Sequence, residues 1–287
     1  MKITYLPILT IFLSLSTVFA QNNPLKTDST AIEKSYLELP KIQVVPIKDR
    51  QANRQYELYI KLPEGYSKNN DKQYPVIYFT DAMWHIEILS GAAEYILEDA
   101  LLVGISWQKD NDINLMNEVG EHVSRFRDYS VSEHHKSEIQ AKYHLGQAKN
   151  HLSFIRNDVI KYVESNYHVA SNNRTYFGYS LGGEFGAYIL LTQPDTFKNY
   201  ILGSPTINKD TPFLSDNKHK SLNSNLFISY GTLEKELNNF EELICLFRSR
   251  NDKSLILKHE TIEGNHQTAF PMTGVRSIHW LSSILKE

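Results

Sequence analysis

The chain has 287 residues, 41% hydrophobic, 22% charged and 11% aromatic, a globular composition that excludes collagen-like, disulfide-scaffold and disordered classes. Thirty Lys and Arg stand against 33 Asp and Glu, a formal charge of −3, so no basic field exists to hold nucleic acid or an anionic membrane. That length accommodates one domain of about 250 residues, or two small ones, with a core large enough for a deep pocket.

Residues 1–20 read as a signal peptide. Lys2 supplies a short positive region, Ile8 to Leu15 is mostly apolar, and Val18-Phe19-Ala20 sets small residues at −3 and −1 before Gln21. The run is short and broken by Thr and Ser, which disfavours an uncleaved anchor. The expected location is therefore periplasmic or extracellular, with no stable membrane insertion. Residues 21–40 are polar and form an N-terminal tether, and residues 41–287 form the folded domain. Cys245 is the one cysteine, so no internal disulfide is available; within Leu243-Ile244-Cys245-Leu246-Phe247 it is expected as a buried small hydrophobe.

Strand-like runs come first: Ile42 to Ile47, then the alternating Tyr56 to Leu62, closed by a turn at Pro63-Glu64-Gly65-Tyr66. Pro75 to Phe79 and Leu101 to Ile105 are continuous apolar runs, as strands buried on both faces require. Helical spacing occupies Glu87 to Glu98. Residues 107–146 are polar and irregular, too long for a plain connection, and are expected to be a functional loop or lid. An amphipathic helix follows over Leu152 to Tyr167. Beyond it strands at Thr175–Tyr179, Asn199–Gly203, Leu226–Tyr230 and Leu255–Thr261 alternate with helices at Gly183–Leu191, Glu234–Ser249 and Gly274–Leu285. That order specifies an α/β fold, a mostly parallel doubly wound sheet with helices on both faces.

Chemistry concentrates at Gly178-Tyr179-Ser180-Leu181-Gly182-Gly183, between an apolar strand and a helix. This is the G-x-S-x-G nucleophile elbow in the context the motif requires. The turn strains the serine and lifts its Oγ above the sheet, at a helix N-terminus whose N–H groups can meet a developing oxyanion. A serine hydroxyl needs a base, and the base an orienting acid. His259 is fixed within a strand and His279 lies on the terminal helix beside Trp280, whereas His266 sits in the loop Glu263-Gly264-Asn265-His266-Gln267 at the carboxyl end of the last strand, where catalytic groups gather. His266 is the expected base. Glu234, the first carboxylate after Leu226–Tyr230, is the expected acid, with Glu236 as its alternative; either could instead serve the following helix. The oxyanion donors are expected to be the amide of Leu181 and one from the loop Thr80-Asp81-Ala82-Met83, with Ala82 preferred to Met83. Trp84 and His85 are candidates for the pocket mouth, Trp84 equally for core.

With these residues in hand, the chain resembles the putative-esterase family of α/β-hydrolases. That family includes esterase D-like enzymes, periplasmic trilactone siderophore esterases, feruloyl and acetyl-xylan esterase domains, and mycolyltransferases. The likeness covers about residues 40–287. It is carried by Tyr74 to Asp81, Val103-Gly104-Ile105, Arg125-Phe126-Arg127-Asp128-Tyr129-Ser130, the block from Phe154-Ile155 through the elbow to Phe197 and Gly203-Ser204-Pro205, and Gly264-Asn265-His266. The resemblance implies Ser180 as nucleophile, His266 as base and an acid at Glu234. Members commonly carry glycine where this chain has Ala82, and some siderophore esterases are thought to use a Ser–His pair.

Weaker signals are read structurally. Asp110, Asp112 and Asn114 with Glu121 lack the glycine of a calcium loop, and His134, His135, His144 and His151 lack zinc spacing. Arg125 is a candidate for binding an anionic substrate, although Arg125 and Arg127 are more simply read as partners of Asp128. The expectation is a serine esterase acting on a small-molecule ester through an acyl-enzyme, without metal or cofactor. An acyltransferase on the same site, or a binding protein on a hydrolase scaffold, are the alternatives.

Overall fold

A computed structural model describes residues 42–286 apart from 68–70, 208–210, 212–213, 215–220 and 236. The signal-peptide and tether segments, and Glu236, lie outside the described residues.

Among the described residues the strands are β1 (Ile42–Asp49), β2 (Arg54–Lys61), β3 (Tyr74–Phe79), β4 (Leu101–Ile105), β5 (Val169–Tyr179), β6 (Asn199–Gly203), β7 (Asn225–Gly231) and β8 (Ile256–Ile262). They form one sheet in the order β1-β2-β4-β3-β5-β6-β7-β8. β1 and β2 pair antiparallel, as do β2 and β4; every other neighbour is parallel. The expected α/β-hydrolase-type sheet is therefore present. Its middle strands β4 and β6 are buried at every residue, as the unbroken apolar run of β4 predicts. The edge strand β8 instead carries the polar run Lys258-His259-Glu260-Thr261, and every residue of it but Ile262 stays at least partly exposed.

Two apolar layers flank the sheet. On one face lie α1 (Ala82–Ile96) and α9 (Phe270–Ile284), packed through Ile86, Leu89, Ile278 and Leu281. On the other lie α7 (Leu181–Thr192), α8 (Leu237–Ser249) and the long helical stretch from Ala148 to Asn166, packed through Leu152, Val163, Phe185 and Phe240. That stretch comprises α5 (Ala148–Phe154), a π-helical turn (Ile155–Val159) and α6 (Ile160–Asn166). No described helix is long and apolar enough to cross a membrane.

Three expectations change. The segment 107–146 is not irregular: it folds as α2 (Ile113–Val119), a 3-10 turn at Glu121–Val123, α3 (Ser124–Tyr129) and α4 (Ser137–Tyr143). Helices of six or seven residues span fewer than two turns, too short to display a periodic apolar stripe. Asp112 caps α2 through Leu115 N (2.9 Å) and Asp110 accepts from Gln55 N (2.9 Å), which accounts for two of the three acids of the calcium-like set. Secondly, Cys245 is exposed. The buried stripe of α8 runs Phe240, Leu243, Ile244, Phe247, and Cys245 falls one position beside it. Thirdly, α1 begins at Ala82 rather than Glu87, directly after the β3 loop.

Candidate active site

The loops at the carboxyl ends of β3, β5, β6, β7 and β8 converge on one end of the sheet, the crevice position general to open parallel sheets. Ser180 follows β5 and stands immediately before α7, with φ 57° and ψ −122°. A non-glycine residue at positive φ is strained and persists only where its surroundings impose it. Here they do. A Cβ on Gly178 would lie 2.2 Å from the Gly182 carbonyl oxygen, and one on Gly182 would lie 2.5 Å from Thr80 Oγ1. The elbow is closed too tightly for either side chain. Ser180 N donates to Gly203 O (2.9 Å), tying the turn to the end of β6.

Ser180, Glu234 and His266 line one cleft of about 430 Å³, with Thr206, Asn239 and Phe240 among its other walls. His266 Nδ1 lies 2.8 Å from Glu234 Oε2. With Nδ1 engaged, Nε2 is the nitrogen left to exchange a proton in the cleft. The Glu234 carboxylate is almost fully enclosed, and its second oxygen accepts from Ser204 Oγ (2.6 Å) and Gly231 N (2.7 Å). Burial pushes this carboxyl up, but the hydrogen bonds from His266, Ser204 and Gly231 outweigh burial and hold its pKa below the ordinary carboxylate value. Glu234 is thus an ionised acceptor facing an imidazole, and it precedes α8 rather than lying in its first turn.

The loop of His266 is fixed from several sides. Thr232 N donates to Ile262 O (2.8 Å) and Leu233 N to Gly264 O (2.9 Å). Asn265 Oδ1 accepts from the amides of Gln267 and Thr268. Tyr179 Oη donates to the His266 carbonyl (2.7 Å).

Leu181 and Ala82 are the first residues of α7 and α1, positions whose amides have no partner within their own helix. Both amides belong to loops that abut each other, since the Gly182 Cβ position meets Thr80 and Asp81. Asp81 has φ 54° and is fully buried. Its carboxylate accepts from Trp107 Nε1 (2.7 Å) and takes both arms of Arg125, Nε at 2.9 Å and Nη2 at 3.1 Å.

Arg125 therefore does not pair with Asp128. That acid takes Arg127 (2.8 Å) and the Tyr56 hydroxyl (2.9 Å) instead. α3 turns successive side chains about 100° apart, so Arg125 and Arg127 leave in different directions. Trp84 is 48% exposed, so it is not core. It packs edge-on against Trp107 at 4.8 Å with the Arg125 guanidinium over its ring at 5.2 Å, beside the Asp81 loop. His85 is not at the mouth: it points inward, its Nδ1 2.9 Å from Thr80 O and its ring stacked on Phe270. Burial outweighs the attraction of Asp81 and pushes its pKa down to about 4.

Sequence reasoning missed Thr206 and Tyr179 as site residues, and named Ser204 only within a family block. Thr206 Oγ1 lies 3.3 Å from Ser180 Oγ. The available signal was position: Ser204 and Thr206 follow the carboxyl end of β6, next to the strand bearing the elbow.

A family model described as "Putative esterase" matches residues 50–268. The chain is 27% identical over 219 residues to the ferri-bacillibactin esterase BesA of Bacillus subtilis (strain 168), covering 69% of this chain and 72% of that one. Its fold is similar to that of the BES protein from Bacillus cereus (TM-score 0.70, 23% identity, 87% of this chain and 98% of that chain). The siderophore hydrolase EstB from Aspergillus nidulans also superposes (TM-score 0.70, 19% identity, 86% of this chain and 96% of that chain).

Proposed function

The chain belongs to the putative esterase family, and on that premise we propose that it is an exported serine esterase whose substrate is a siderophore-type ester. It is a carboxylic ester hydrolase. Ser180 attacks the ester carbonyl while His266 takes its proton through Nε2. Glu234 orients the imidazole and stabilises the imidazolium. The amides of Leu181 and Ala82 receive the oxyanion of the tetrahedral intermediate. The proton then passes from His266 to the departing alcohol oxygen, leaving an acyl-Ser180. Water, deprotonated by His266, releases the acid and restores the serine.

The observation that carries this reading is the 2.8 Å contact of His266 Nδ1 with an enclosed Glu234 carboxylate in the cleft that also holds Ser180. The substrate class is supported by BesA, named for its action on ferri-bacillibactin; aryl and carbohydrate esters are the competing classes within the family. Export is supported by the leader-like residues 1–20.

The test is mass spectrometry after a fluorophosphonate probe, alongside turnover of p-nitrophenyl acetate, a ferric trilactone siderophore and a feruloyl ester. The expected result is one adduct on Ser180, lost in Ser180→Ala together with turnover, and preference for the trilactone. Folded protein with neither adduct nor turnover overturns the esterase reading, and preference for the feruloyl ester overturns the substrate class. An intact mass beginning at Gln21 checks export.

A further inference from the structure

Ser204 sits at the carboxyl end of β6 with φ 40°, in the left-handed region, and is 1% exposed. No short-range need for a turn demands serine there; glycine would adopt this backbone at lower cost. The side chain explains the choice. Ser204 Oγ lies 2.6 Å from Glu234 Oε1 and 2.9 Å from Tyr179 Oη, and Tyr179 Oη lies 2.7 Å from the His266 carbonyl oxygen. The backbone is held as well, with Ser204 N donating to Ser229 O (2.7 Å). The left-handed turn aims a hydroxyl at the one carboxylate oxygen that His266 does not use.

The contacts close a ring. Glu234 touches His266 through its side chain, and the His266 backbone returns through Tyr179 and Ser204 to Glu234. The end of β5 and the loops after β6, β7 and β8 are thereby linked through side chains, in addition to their backbone bonds. A Ser204 hydroxyl has a single proton. It is shared between Glu234 Oε1 and Tyr179 Oη, weighted toward Glu234 by the shorter contact and the charge of the acceptor, while the Tyr179 proton is directed to the His266 carbonyl.

We infer that Ser204 is a positioning residue for ester hydrolysis, a strained serine whose hydroxyl and the Tyr179 hydroxyl beside it fix Glu234 and the His266 loop in one relative geometry. This rests on the reading of Glu234 and His266 as acid and base. Ser204 does its work through Glu234: it fills one oxygen so that the other stays aimed at Nδ1, and it disperses part of the negative charge.

The experiment compares Ser204→Ala, Ser204→Gly and Tyr179→Phe with the wild type and with Glu234→Gln, reading kcat, KM, the pH profile of kcat/KM and the melting temperature. Ser204→Ala loses the hydroxyl and keeps the backbone cost; Ser204→Gly loses the hydroxyl and relieves the backbone. Both are expected to lower kcat about tenfold, the scale of one hydrogen bond to a charged group, with KM within about twofold because no substrate contact is removed. In both, the acid limb of kcat/KM moves to higher pH, since a carboxylate with one donor fewer holds the imidazolium more tightly. Ser204→Gly, relieved of the backbone cost, melts above Ser204→Ala while sharing its lower kcat, so folding loss does not explain the defect. Tyr179→Phe lowers kcat by a smaller factor. Wild-type kcat in Ser204→Gly, an acid limb that stays in place or moves down, or a loss expressed in KM overturns the inference. If Glu234→Gln is fully active, the underlying acid–base reading fails instead.

Discussion

Asp81 and Arg125 are separated by 44 positions in the chain and joined by a two-pronged ion pair, Nε to Oδ1 at 2.9 Å and Nη2 to Oδ2 at 3.1 Å. The pair links the strained first loop of the site to α3, within the helical segment 107–146. Its geometry suits arginine alone, since a planar fork matches a carboxylate and a lysine ammonium does not.

Arg125→Ala leaves Asp81 buried with Trp107 as its remaining side-chain donor, and is expected to cost about 3 kcal/mol of stability. It also frees the loop that carries the Ala82 amide, so kcat falls more than KM rises. Arg125→Lys is expected to recover little of either loss. Urea denaturation together with steady-state kinetics checks both parts.

Glu234→Gln preserves shape but replaces an acceptor by a group that can donate to the imidazole, favouring the wrong tautomer. Turnover of a p-nitrophenyl ester is expected to drop about 10³-fold. Since Glu234 is the enclosed member and His266 the partly exposed one, His266→Ala should retain more stability than Glu234→Gln; melting curves of the two variants test that order.

How much of this was legible from the chain depended on the length of the signal. The parallel strands were readable because Pro75 to Phe79 and Leu101 to Ile105 are unbroken apolar runs, and the elbow because glycine spacing there answers a steric demand visible at Gly178 and Gly182. The proximity of Glu234 to His266 followed from their places after successive strands β7 and β8. What was not legible was pairing across distance. Arg125 could be matched with Asp128 in sequence, but its partner Asp81 is brought by another loop. Ser204 and Thr206 carried no motif of their own, and the short helices α2 to α4 had too few turns to show a face.

Acid is expected to weaken the fold through His85, whose pKa burial lowers from 6.5 to about 4. The folded chain holds this ring neutral while the unfolded chain protonates it. Stability is therefore full above pH 6.5 and declines as pH falls toward 4, by up to about 3 kcal/mol. His85→Gln should flatten that slope in urea midpoints measured across the range. Glu184, on the first turn of α7, acts oppositely: burial pushes its carboxyl up to about 7. Its stabilising share is present below its ordinary value and lost as pH rises through 7, so Glu184→Gln should raise the midpoint at pH 8.

Cys245 is exposed beside the apolar stripe of α8, and it should react with a thiol reagent such as DTNB without denaturant. One equivalent per chain is expected, since the sequence holds a single cysteine. Cys245→Ser should abolish the reaction and leave turnover unchanged. A thiol titrated only in denaturant contradicts this placement.

The edge position of β8 bears on how the molecule fails. Among the described residues this strand has a neighbour on one side only, and it hands the chain to His266. Fraying at that margin, an event far cheaper than melting the sheet, withdraws the imidazole while Ser180 stays on a central strand. With His266 as the proposed base, inactivation by heat or denaturant is therefore expected to be a local affair that runs ahead of global unfolding, a warmed sample keeping its compact spectrum after its activity has gone. The same dependence is expected at birth: the elbow is synthesised well before β8, and the proposed site is complete only when that last strand docks.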